Sequence, residues 1–258
     1  MDITKSMLDK YLDDFDIERF KSIDPCGVVY KLIDYLDHED SNDAYKNSLC
    51  NRQLDIELGA LFVAMISWGS RKVICPTALN MISNEMRWHP SRFILEQEYE
   101  ESYKNAKNGC VYRTLNVTSF NEVCSNIYNA LVSCDFRPLT LEELFNGLST
   151  KTVISTLCDW LSPAKVGTMD KSACKRMCMY VRWMTRSMLP DLGLWKNRPS
   201  SDLYAVLDVH VCELTRDLLG GRRPSWQTCL ALTNIFKSWD PVDPLKYDIA
   251  LMTLSSRL

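Results

Sequence analysis

The sequence predicts an all-α protein, a compact bundle of roughly a dozen helices, and three observations carry that expectation. Apolar residues recur every three or four positions through most of the 258 residues, glycine and proline are sparse at 9 and 10, and 46 % of the residues are hydrophobic. That is ample material for a sizeable core and little for turns. No repeat of solenoid period and no low-complexity stretch interrupts the pattern. The whole chain, 1–258, is expected to form one domain, with 52–160 as one lobe and 1–51 plus 161–258 as the other.

The elements follow in order along the chain. "SMLDKYLDDF" and "GVVYKLIDYLDH" each carry one apolar stripe, whereas "LDIELGALFVAMISW" is apolar nearly all round and should be a buried helix. The next helix spans "VICPTALNMISNEMRW", with Pro76 in its first turn, where a missing N–H costs little. "HPSRFILEQEYEESYKNAKNG" is polar and without a clear period, and "CVYRTLN" has some strand character but predicts no sheet. Helix resumes in "SFNEVCSNIYNALVSC" and in "LTLEELFNGLSTKTVISTLCDWL", the second opened by a capping box of Thr140 and Glu143. A basic helix from Ser172 to about Met188 leads into the proline-bounded connection "LPDLGLWKNRPSSD". Helices at about 208–219, 225–238 and 242–256 complete the chain, punctuated by "GGRRP" and "DPVDP".

A net charge of −3 excludes a protein coated in lysine and arginine for nonspecific nucleic-acid binding. The distribution is uneven. Residues 1–60 carry 14 acidic and 7 basic side chains, whereas 163–200 hold Lys165, Lys171, Lys175, Arg176, Arg182, Arg186, Lys196 and Arg198 against Asp170 and Asp191. A positive run in an acidic chain is either a small nucleic-acid footprint or a solvated helix face. The charged N-terminus has no apolar export segment and nowhere do 18 apolar residues run together, so a cytoplasmic, non-membrane protein is expected. Eleven scattered cysteines without a CxxC pair fit free, mostly buried thiols in a reducing compartment. Cys174 and Cys178, four apart, read as buried thiols rather than two metal ligands, since no further His or Cys lies nearby; neither metal nor cofactor is expected.

Two stretches hold chemistry. In "AVLDVHVCELTRDLLG" Asp208 stands at the start of an apolar-periodic helix, as an N-cap or as a carboxylate directed into a cleft, with His210 as its packed neighbour. In "DKSACKRMCMYVRWMTRS" Lys175 lies at the edge of a stripe formed by Met177, Val181 and Met184, close in sequence to Arg176, Arg182 and Arg186. It is either a snorkelling lysine or an amine set up for nucleophilic attack. Trp68 and Trp183 are core residues or stacking surfaces for a base.

"LDVHVCELTRDLLG" resembles the segment of helix-hairpin-helix DNA glycosylases in which a catalytic Asp is followed two residues later by His, in the form nearest to 8-oxoguanine glycosylases. "SACKRMCMYVRWM" resembles the second helix of their hairpin, with Lys175 in the place of the catalytic lysine. The 33-residue separation from Lys175 to Asp208 is similar to that of the archaeal 8-oxoguanine branch. "LGALFVAMISWGSRKVICPTALNMI" resembles the early helix, break and next helix of the same superfamily. With "VYRTLN", "DLGLW" and "DPLKYDIALMTL", these segments also resemble an uncharacterised bacterial family of about this length, over nearly the whole chain.

The resemblance implies a glycosylase-type all-α fold, two helical halves around a cleft. It also implies a DNA base-excision glycosylase and abasic lyase for damaged duplex DNA, with oxidised purines among its lesions, acting as a monomer. Lys175 and Asp208 would be catalytic. Arg176, Arg182, Arg186 and Lys171 would meet phosphates, and Trp68, Arg71, Lys72 and His210 would surround the substrate. The hairpin stretch "LSPAKVGTMDKSACK" keeps only Gly167 where such hairpins read "LPGxG". Gly69 stands where a glutamine is common, and no four-cysteine iron–sulfur loop is present. A catalytically inactive nucleic-acid-binding module and a helical protein-interaction domain are the alternatives.

Overall fold

Helix predominates among the described residues. The computed structural model describes residues 3–39, 51–104, 106–133 and 140–255; Cys50, Cys134 and residue 256, at the end of the last expected helix, lie outside them. The helices are α1 (Lys5–Asp13), α2 (Ile17–Ile23), α3 (Cys26–Glu39), α4 (Arg52–Ile66), α5 (Arg71–Asn80) and α6 (Pro90–Leu95). A hairpin of β1 (Cys110–Tyr112) and β2 (Leu115–Asn116) follows. Then come α7 (Val117–Val132), α8 (Leu141–Leu144), α9 (Thr150–Trp160), α10 (Lys175–Thr185), α11 (Val209–Leu214), α12 (Arg216–Leu219), α13 (Trp226–Trp239) and α14 (Lys246–Ser255). The chain divides into two compact units: Met1–Ile17 with Ser149–Cys158 and Gly167–Leu258, and Glu18–Leu148 with Asp159–Val166. No helix among the described residues is long and apolar enough to cross a membrane.

In the second of these units α4 is the core, buried from Leu54 to Ile66. Its two carboxylates, Asp55 and Glu57, are fully buried, and each is spent on the start of another helix. Asp55 accepts the Ser91 N–H of α6 at 2.7 Å, and Glu57 accepts those of Leu141 and Glu142 of α8 at 2.6 and 3.2 Å. Orphan N–H groups and the positive end of the helix dipole compensate the buried charge. Pro76 lies in the interior of α5, not in its first turn, because the helix starts earlier, at Arg71. The chain then widens into a π turn at Met81–Glu85.

Two further expectations are corrected in this stretch. The strand character of 110–116 is real: Cys110 pairs with Asn116 and Tyr112 with Leu115 in a two-stranded antiparallel hairpin, the only sheet among the described residues. The helix expected through 139–161 is two. Thr140 caps α8 through the Glu143 N–H at 3.1 Å, but Gly147 turns at φ +75° before α9 begins.

In the first unit α1 packs along α14, and α10 is buried from Tyr180 to Thr185. Trp183 is fully buried, a core residue rather than a stacking surface. Arg182 and Arg186 are also buried, which corrects their assignment to phosphate contacts. Arg182 Nε meets Asp191 Oδ1 at 3.1 Å and its Nη1 lies 3.6 Å from Asp248 Oδ2. Arg186 reaches both Asp243 oxygens, at 2.8 and 2.9 Å, Asp191 at 3.2 Å, and the Met188 carbonyl at 2.8 Å. Arg198, likewise buried, donates to Thr150 Oγ1. Three of the eight cations in the positive run are therefore inside the protein, neutralised in part by Asp243 and Asp248, which lie beyond the run.

Candidate active site

Lys175 is the first residue of α10, and its position depends on the loop before it. Cys174 takes a left-handed conformation (φ 50°, ψ 35°), which ends the loop and starts the helix. Ser172 Oγ accepts the Cys174 N–H at 3.1 Å and donates to the Thr168 carbonyl at 3.1 Å. Gly167, at φ +90°, lets Ser172 approach, since a Cβ there would lie 2.5 Å from Ser172 Oγ. The single glycine of this loop thus serves the loop's own closure.

Asp208 is the N-cap of α11 and uses its two oxygens differently. Oδ1 accepts the Val211 N–H at 2.9 Å, and Oδ2 accepts from Lys175 Nζ at 2.6 Å. The cap read from the sequence is observed, and the second oxygen of the same carboxylate holds Lys175. Burial pushes the Asp208 carboxyl up, but the Lys175 cation, its hydrogen bond, the Val211 amide and His210 together hold it below its ordinary value. The Lys175 and Asp208 side chains remain 38 % and 33 % exposed, so the pair is open to a ligand. As an ion pair at that exposure it contributes less than about 1 kcal/mol to stability.

What holds the pair is the buried structure behind it. The extended residues before Asp208 are pinned one by one: the Ala205 N–H donates to Thr233 Oγ1 at 2.9 Å, Cys229 Sγ to the Ala205 carbonyl at 3.2 Å, and the Val206 N–H to Asp248 Oδ2 at 3.0 Å. Asp248 also faces Arg182 of α10. A single buried carboxylate therefore links the helix that carries Lys175 to the segment that carries Asp208. Burial pushes the Asp248 carboxyl up to about 6, against the pull of Arg182 and the Val206 amide. A raised carboxyl favours the protonated folded form, so stability falls as pH rises from about 4 through 6. Asp248→Asn, a fixed neutral analogue, should gain on the wild type by up to about 3 kcal/mol between pH 4 and 7.5. Urea titrations across that range check it; a pH-independent difference would contradict it.

The other residues singled out in the sequence are dispersed. Arg176 is half-buried beside Lys175, Lys171 is exposed in the preceding loop 4.0 Å from Asp170, and His210 is exposed on α11 rather than packed. α11 itself ends at Thr215, whose hydroxyl donates to the Val211 carbonyl, so the helix expected over 208–219 is broken in two. Trp68, Arg71 and Lys72 belong to the other unit. One face of Trp68 is covered by the Arg113 guanidinium, 4.7 Å from the ring, and Arg71 lies 3.6 Å from Asp24. Arg113 was not anticipated; the signal available was "VYRT", a two-residue turn without glycine.

Among the described residues nine cysteines are free, and all but Cys75 and Cys110 are buried. Cys174, next to Lys175, has its thiol lowered to about 7 by a hydrogen bond from Cys158, with Ser172 assisting against burial. Cys178 is pushed up by its bond to Cys229 and by burial. No group of three or more His, Cys, Asp or Glu among the described residues is arranged to hold a metal ion.

No curated protein and no solved structure matches the chain. One family model does, over residues 47–257, a span that includes Lys175, Asp208 and all of their buried support. The chain therefore belongs to the family described as "Protein of unknown function (DUF2400)".

Proposed function

We propose that this protein is a DNA base-excision glycosylase with abasic lyase activity, a cytoplasmic monomer acting on damaged duplex DNA. The observation that supports the reading is the 2.6 Å approach of Lys175 Nζ to Asp208 Oδ2, partly exposed, from the starts of two helices 33 residues apart in sequence. An amine beside a carboxylate is the minimal equipment for imine chemistry at a sugar carbon. The target base is rotated out of the stack, at a cost that a lesion lowers. Asp208 takes a proton from Lys175, and the neutral amine forms a bond to the anomeric carbon. The glycosidic C–N bond breaks and the base leaves with its electron pair, to be protonated.

Asp208 gives that proton to the departing base and, a carboxylate again, stabilises the positive character of the anomeric carbon. Ring opening moves a proton from the newly attached nitrogen to the ring oxygen, breaks the bond from C1 to that oxygen and leaves an iminium linked to Lys175. Loss of a proton from the adjacent carbon then expels the 3′ phosphate by β-elimination, and water releases the lysine. Oxidised purines are the lesion class we propose, on the resemblance of "LDVHV".

Borohydride reduction tests this directly, because it converts the imine into a stable amine. Wild-type protein on labelled duplexes carrying 8-oxoguanine or an abasic site should give a covalent adduct that Lys175→Gln does not give. Absence of an adduct from folded wild type on every duplex would remove the lyase reading. An adduct that persists in Lys175→Gln would assign the chemistry to another amine.

A further inference from the structure

The second unit contains a cation that the Lys175–Asp208 chemistry does not use. Arg113 is the first residue of the two-residue turn joining β1 to β2, and its backbone stands at φ +50°, where glycine is favoured. The side chain is exposed, yet held: its guanidinium lies 4.7 Å from the Trp68 ring and 5.8 Å from the Tyr112 ring. Those rings meet edge to face at 5.8 Å, and the Tyr112 hydroxyl donates to the Trp68 carbonyl at 2.6 Å. Gly69, at φ +100°, completes the seat, because a Cβ there would lie 2.5 Å from the guanidinium. Two loops thus converge on one charged group, and no carboxylate among the described residues forms an ion pair with it.

A left-handed backbone and a glycine that makes room for a cation which stacks on two rings but meets no carboxylate among the described residues call for an anionic partner outside the unit. Arg71 and Lys72, both exposed, begin α5 three and four residues beyond Trp68. Stacking leaves the edge of a guanidinium free to donate, and its planar fork matches the oxygens of a phosphate. We propose that Arg113, seated on Trp68 and flanked in the sequence of that loop by Arg71 and Lys72, is a contact for the phosphodiester backbone of duplex DNA. Trp68 then serves as the support of the cation rather than as a surface for a base. The inference rests on the reading of the protein as one that acts on duplex DNA, and names a contact that reading did not contain.

The test is equilibrium binding to a fluorescent duplex carrying a tetrahydrofuran abasic analogue, which cannot form an imine, over a series of salt concentrations. Borohydride trapping on a natural abasic duplex runs in parallel. Arg113→Ala should weaken binding about fivefold or more and reduce the slope of log affinity against log salt by about one, as the loss of one phosphate contact requires. Arg113→Gly separates this from misfolding: it relieves the left-handed backbone, so it should melt no lower than Arg113→Ala while binding as weakly. Inorganic phosphate at equal ionic strength should not displace the duplex, if the site reads a polymer backbone rather than a free anion.

Wild-type affinity and salt slope in both Arg113 variants, with trapping intact, would overturn this inference and leave the proposed function standing. An Arg113-dependent salt slope without any trapping would support the contact and remove the lyase. No binding of the duplex by wild type would overturn the inference, and displacement by inorganic phosphate would overturn its assignment to a polymer backbone.

Discussion

On the proposed lyase chemistry, Asp208→Asn should leave a folded protein that cleaves abasic duplex about 10²- to 10⁴-fold more slowly, the range expected when a positioned proton acceptor is lost. The variant is informative because Asp208 serves two ends with two oxygens. Asparagine is as good an N-cap as aspartate, so the Val211 bond survives and the helix start is kept. What disappears is the negative charge 2.6 Å from Lys175. Asp208→Ala removes both and should add a stability loss of about 1 kcal/mol. Equal turnover by wild type and the asparagine variant, measured under single-turnover conditions, would reduce Asp208 to a cap.

The largest stability effect should follow Arg186→Met. The guanidinium bridges Asp243 and Asp191, and the Asp191 carboxylate is fully buried. Removing the cation leaves that carboxylate partnered only by Arg182 and strands Asp243, a loss of about 3 to 5 kcal/mol. Against a total stability of about 5 to 15 kcal/mol this is a large share, and it should lower the melting temperature by roughly 10 °C or more. The double variant Arg186→Met with Asp243→Leu should recover part of the loss, because the stranded charge is gone. A loss below about 1 kcal/mol in calorimetry would mean that the pair is effectively solvated.

These two predictions also mark what the sequence made legible. The sequence singled out Lys175 and Asp208 together only through the resemblance of their two segments, since each alone reads as well as a snorkelling lysine or an N-cap; the structure places them 2.6 Å apart. Arg182 and Arg186 were misread because charge was counted along the chain, whereas their partners are brought in by the fold. Asp243 lies 57 residues from Arg186, and no window centred on α10 contains it. The same limit hid Asp55 and Glu57, whose partners are the starts of α6 and α8, at 36 and 84 residues' distance. Periodicity identified α4 as buried, but it cannot say which helix ends will meet a buried carboxylate. His210 was expected to pack beside Asp208, but α11 turns that side chain outward, where it is exposed.

The bridge from Arg182 through Asp248 to the Val206 N–H has a consequence for how variation in this family is read. Because one buried carboxylate sets the registration of two segments, a change there displaces the amine and the carboxylate relative to each other without touching either. On the proposed function, a saturation survey scored only by repair of damaged DNA would find Arg182, and Asp248 apart from its asparagine isostere, as intolerant as Lys175 and Asp208. Intolerance by itself would thus draw the active site too large. A parallel score for protein abundance would separate the scaffold, where both scores fall together, from the proposed reacting pair, where abundance survives and repair does not.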